Sequence, residues 1–157
     1  MTRPAPPSAD TAPRGCTNFK LRQLTREVTR RYDAEVACSG LKTTQYSLLS
    51  HVIALGPVRP SDLAAAMHLE PSTLTRNLQP LVAAGLVEQG PGDNARSRLI
   101  TATPEGRAKR TEAQRAWKVA QTGLNQTLGA SRVARLHTLI DECLALLGEA
   151  PEGPSDD

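Results

Sequence analysis

Two short stretches of the chain carry side chains suited to reading the edges of base pairs. The first runs from Ser72 to Leu78, with Ser72, Thr73, Thr75, Arg76 and Asn77 among its polar members. Arg76 offers a planar two-pronged donor that matches guanine, and Asn77 the donor–acceptor pair that matches adenine. The serine and threonine hydroxyls suit phosphates, and the threonine methyls suit the methyl of thymine. The second stretch presents Asn94, Arg96, Ser97 and Arg98. An arginine on a thin loop fits a narrow minor groove, where the negative potential is enhanced. Each piece alone is weak, because most arginines on loops simply face solvent. Their order and spacing along the chain are the stronger signal.

The thiols and imidazoles point nowhere so definite. Cys16, Cys38 and Cys143 are odd in number and lack a CxxC pair, which argues against a disulfide framework or a closed zinc site. If Cys16 and Cys38 end the same helix they stand about 33 Å apart. A disulfide needs Cα atoms within about 7 Å, so they cannot bridge within one chain. Cys143 lies on an apolar stripe and reads as a small buried hydrophobe. A contact between Cys16 and Cys143 of two copies stays open. His51, His68 and His137 have no ligand spacing with one another or with a cysteine, so no metal is expected. Tyr32, Tyr46 and Trp117 are bulky rings that could line a pocket for an aromatic ligand, although Trp117 on a long helix is more often core.

The elements that position these residues follow from periodicity and punctuation. Residues 1–14 hold four prolines and read as a disordered arm. From Cys16 to Cys38, Leu21, Leu24, Val28, Tyr32 and Val36 recur at helical spacing, and Gly40 stops the run. A second helix starts at Thr43 or Thr44 as its cap and carries Leu48, Leu49, Val52 and Ile53 inward. Gly56-Pro57 ends it, and Val58-Arg59 allows a very short strand. A third helix runs from Pro60 or Ser61 to Met67. His68 and Leu69 turn the chain, and Glu70 caps a fourth helix whose buried stripe is Leu74, Leu78, Leu81 and Val82. Pro80 inside it predicts a kink or an early end.

Gly85 closes that helix, and 86–89 and 97–101 read as two strands around a turn-rich loop. Thr103-Pro104-Glu105 opens a long helix to about Leu128, with the cap, the proline and the acid each in place. After Gly129 a last helix carries Val133, Leu136, Ile140, Cys143, Leu144 and Leu147 on one wide apolar face, as expected of burial against a partner. The fold class is mainly α with a small β-hairpin wing, in the order α-α-α-α-β-β-α-α. Aromatic residues make up only 3 %, so the core must be Leu, Val, Ile and Ala. The net charge of +3 permits nucleic-acid binding without establishing it. No apolar run is long enough to cross a membrane, and no secretion signal opens the chain, so the expected compartment is the cytoplasm.

Two short helices, a tight turn and a basic hairpin describe a winged helix-turn-helix. On the stretches 72–87 and 94–106, residues 16–149 resemble the MarR (multiple antibiotic resistance regulator) family. Gly85-Leu86-Val87, Arg96, Thr103 and Gly106 match its pattern. Two positions depart from it. Asn94 replaces the aspartate that steadies the wing arginine, with Asp93 beside it, and Ala102 replaces a leucine beneath the wing.

The resemblance implies a winged helix-turn-helix over 41–103 and a helical dimerisation bundle from 15–40 and 104–149, followed by an acidic tail over 150–157. It implies a homodimer on a pseudo-palindromic double-stranded operator, acting as a repressor released by a small aromatic or thiol-reactive inducer. In one branch of the family a reactive cysteine begins the first helix, and Cys16 falls in a similar place. A helix N-terminus and nearby Lys20 favour a thiolate there, but Thr17-Asn18-Phe19-Lys20 is not the apolar and aromatic run of that branch. No catalytic residue and no cofactor are assigned. A thiol enzyme built on Cys16 would need a base and an orienting acid that no motif supplies. A winged helix used only for protein contacts is the other alternative.

Overall fold

The structure, a computed structural model, describes residues 13–92 and 97–148. Six helices and one hairpin follow in the order α1 (Thr17–Val36), α2 (Thr43–Leu55), α3 (Pro60–Ala66), α4 (Pro71–Ala83), β1 (Val87–Pro91), β2 (Arg98–Ala102), α5 (Pro104–Leu128) and α6 (Ala130–Gly148). The expected order holds. A 3₁₀ turn over Ala37–Ser39 tightens the end of α1, and Gly40 leaves it in the left-handed region at φ 78°, where a side chain would be strained.

Leu48, Leu49 and Val52 of α2, Leu63 of α3, Leu74, Leu78 and Leu81 of α4, and Ile100 of β2 form one aliphatic core. Ala113 and Ala116 of α5 close it. Small residues there let α5 lie close against the lobe. The strands pair antiparallel with Val87 opposite Ala102 and Pro91 opposite Arg98. Ala102 is 5 % exposed, so the alanine that departs from the family pattern still belongs to the core. Of the expected short strand only Val58 pairs, with Ile100, each N–H donating to the other's carbonyl at 3.1 and 2.8 Å.

Several expectations are corrected. The cap of α2 is Lys42 rather than Thr43 or Thr44. Its N–H donates to Gln45 Oε1 at 2.8 Å, and the Thr43 N–H donates to Asp33 Oδ1 of α1 at 2.7 Å. Glu70 stands at the start of α4, but its side chain makes no capping bond. Pro80 does not end α4, which continues to Ala83. Leu78 and Leu81 are buried on either side of the proline, and their packing offsets the one lost hydrogen bond. Val82 is exposed, because the next position after Leu81 turns about 100° away from the buried line.

α6 differs most from a core element. Only Val133 is buried, and Leu144, Leu146 and Leu147 are 58, 72 and 75 % exposed in the single chain. Cys143 is exposed as well, not the buried hydrophobe expected. The apolar stripe exists, but among the described residues its second half, with Leu144 and Leu147, stays uncovered.

Candidate nucleic-acid interface

α4 is held by its own apolar line. Leu74, Leu78 and Leu81 are each 3 % exposed or less, so the opposite face of the helix is fixed toward solvent. At about 100° per residue, Ser72, Arg76 and Gln79 fall opposite that line. All three are exposed. Thr73 and Asn77 lie on the flank nearer α2 and are half-buried. Thr75 lies on the other flank, exposed, and its hydroxyl donates back to the Pro71 carbonyl at 2.9 Å. The structure thus brings five sequence-identified residues onto one helix but sorts them into a crest and two flanks. Gln79 on the crest was missed as a candidate, although its spacing of three from Arg76 carried the signal.

At the hairpin, Ser97 and Arg98 sit where β2 begins. The Gly92 N–H donates to the Ser97 carbonyl at 2.8 Å, closing the base of the loop. Arg98 is exposed and stands opposite Pro91. Asn94 and Arg96 lie outside the described residues.

The junction joining hairpin, α4 and α5 is tightly built. The Thr103 hydroxyl donates to the Gly85 carbonyl at 2.7 Å and accepts from the Gly106 N–H at 3.0 Å. Gly85 takes φ 69°, which turns the chain from α4 into β1. Gly106 lies so close beneath Leu86 that a Cβ there would collide with the Leu86 carbonyl oxygen. The sequence signals Gly85-Leu86-Val87 and Thr103-Pro-Glu-Gly106 are therefore two halves of one joint. That joint sets the angle between the hairpin and the long helix.

The three bulky rings also meet. Trp117 stacks on Tyr46 with centroids 6.0 Å apart and tilts against Tyr32 at 6.3 Å, within the range of favourable ring pairs. The Tyr32 hydroxyl donates to Gln121 Oε1, and Gln121 Nε2 donates to Asn125 Oδ1 at 2.9 Å. Burial pushes the Tyr32 phenol above its ordinary pKa. Beside it α1, α5 and α6 line a half-open, mainly apolar groove of about 280 Å³, with Val28, Leu124, Val133, Ile140 and His137 among its walls. Nearby on α1, Arg30 and Arg31 both hold Glu27 and lower its carboxyl pKa.

Cys16 stands at the start of α1 without a side-chain capping bond, and Cys38 lies beyond its other end, both exposed. The two are a helix length apart, as expected. Among the described residues no cluster of His, Cys, Asp and Glu could hold a metal ion, and no helix is long and apolar enough to cross a membrane.

Comparison with known proteins places this architecture. The MarR family model matches residues 39–97. The HTH-type transcriptional regulator YwoH of Bacillus subtilis is 25 % identical over 93 residues, which are 59 % of this chain and 68 % of that protein. The transcriptional regulator MosR of M. tuberculosis, solved in complex with DNA, is 30 % identical, covering 82 % of this chain and 98 % of its own, with a TM-score of 0.67. A MarR variant from E. coli, solved with operator DNA, shares the fold at a TM-score of 0.75 and 22 % identity, over 81 % of this chain and 92 % of that one. These relatives are transcriptional regulators, and the chain belongs to the MarR family.

Proposed function

We propose that this protein is a homodimeric DNA-binding regulator that represses transcription by occupying a pseudo-palindromic operator. The observation that carries the reading is the crest of α4. Ser72, Arg76 and Gln79 stand exposed opposite the buried Leu74, Leu78 and Leu81, as a helix needs in order to lie in a major groove. Arg76 reads a base, Thr73, Thr75 and Asn77 support it from the flanks, and Arg98 with Asn94, Arg96 and Ser97 meets the minor groove or the backbone. The DNA complex of MosR supports this by likeness.

The second copy covers the stripe on α6. Leu139, Ile140, Leu144 and Leu147 of α6 and Phe19 and Leu21 of α1 are all exposed in the single chain, and large apolar side chains left in the open mark a face that a partner covers. The regions 15–40 and 104–149 form the dimerisation bundle, and 41–103 the DNA-binding lobe. A small aromatic inducer is held near Tyr32, Tyr46 and Trp117, where the bundle meets the lobe, and alters the spacing of the two recognition helices. Modification of Cys16 or Cys143 is the second route of release.

Fluorescence anisotropy tests the reading. The wild-type protein should prefer a duplex it has selected from a random pool over unselected DNA. Arg76→Ala should cost about 1–3 kcal/mol more on the selected duplex than on the unselected one. Equal losses on both remove base reading by Arg76. Unchanged binding by an Arg76→Glu, Arg98→Glu double variant favours a protein-contact role for the lobe.

A further inference from the structure

We propose that Lys42 is a further DNA contact, clamping one phosphodiester of the duplex beside the recognition helix; this rests on the reading of α4 above. Lys42 at the cap of α2, Thr44 and Gln45 in its first turn, and Arg76, Asn77 and Pro80 of α4 line one depression of about 260 Å³. The lining holds two cations, a hydroxyl and two amides, and no carboxylate. That is the chemistry of a phosphate site. A duplex laid on the Arg76 crest carries its backbone along the flank where Asn77 and Lys42 stand.

The backbone beneath Lys42 is anchored on both sides. Its own N–H is tied to Gln45 Oε1, and the next N–H to Asp33 Oδ1 of α1. Lys42 itself is exposed. The anchored main chain and the exposed cation give a contact that fixes the register of α4 on the duplex without reading sequence. Because Asp33 belongs to α1, the clamp is joined through one hydrogen bond to the helix that carries Tyr32.

A purely structural role for Lys42 is the alternative that the test must separate. The two roles differ in their dependence on salt. Each neutralised phosphate contributes about 0.9 to the slope of log affinity against log salt. The dimer brings two Lys42 side chains to two phosphates, so between ~50 and ~200 mM salt wild-type protein should lose about 12-fold more affinity than Lys42→Ala, equally on selected and unselected duplexes. Lys42→Arg should keep the wild-type slope. An unchanged slope for Lys42→Ala overturns the clamp, whether or not its melting temperature falls. A loss confined to the selected duplex overturns it too. Arg76→Ala, measured in parallel, separates the two claims: if it loses discrimination while Lys42→Ala matches wild type, the recognition helix stands and the clamp alone fails.

Discussion

The Thr103 side chain is a single hydroxyl that ties the end of α4 to the start of α5, and removing it is a quantitative test of the joint. Its oxygen caps the first turn of α5 by accepting from the Gly106 N–H, and its hydrogen goes to the Gly85 carbonyl at the end of α4. Thr103→Val keeps the volume and the β-branch but makes neither bond. Loss of an N-cap costs about 1 kcal/mol, and loss of the second hydrogen bond, the exposed one to Gly85, about 1 kcal/mol more. The expected destabilisation is thus about 2 kcal/mol. For a chain of this size it lowers the melting temperature by about 4–8 °C. Thr103→Ser retains both bonds and should stay near wild type. Urea denaturation followed by circular dichroism, at one fixed protomer concentration because association shifts apparent stability, reads the difference. A Thr103→Val protein within about 0.5 kcal/mol of Thr103→Ser would show that the hydroxyl does not hold the joint.

Gly106→Ala drives a methyl into the Leu86 carbonyl oxygen and should destabilise by about 3 kcal/mol; a melting temperature equal to wild type would refute that close approach. The apolar face of α6 should bury on dimerisation. Leu144→Glu with Leu147→Glu then shifts the sedimentation profile from dimer to monomer, whereas an unchanged profile places the interface elsewhere. Cys143 lies on that face, while Cys16 and Cys38 are exposed at the ends of α1. A bulky thiol reagent should therefore label Cys143 more slowly than Cys38 at high protein concentration and catch up on dilution; equal rates at every concentration contradict the dimer face. Arg96→Ala should weaken binding to many sequences alike and flatten the salt slope by about 1 for each protomer, about 2 for the dimer, and a sequence-selective loss would assign Arg96 to base reading instead.

Much of the fold was legible because its signals are local. Gly40, Gly85 and Gly129 mark helix ends with positive φ, and Thr103-Pro104 opens α5 with a side-chain cap. The aliphatic spacing of α4 located its core line, and therefore its outer crest. What escaped the sequence is tertiary. Lys42 is an unremarkable lysine until α2 packs beside α4 and gives it Arg76 and Asn77 as neighbours. The start of α2 is set by Asp33, ten residues earlier on α1, which no local capping rule contains. Pro80 signals a kink or an early end of α4, but the helix runs on to Ala83 because the leucines on each side of the proline are held by the core. Cys143 was expected inside, because an apolar stripe reads the same whether a helix meets its own chain or another copy.

Protection of guanine N7 from methylation reports directly on which groove is occupied and how often. On a duplex selected by the wild-type protein, two protected patches should appear on the same side of the helix, about 10 base pairs apart centre to centre or a multiple of that. Arg76→Ala should open a guanine in both at once. A single patch, or protection that Arg76→Ala leaves intact, would contradict a pair of α4 helices reading the major groove.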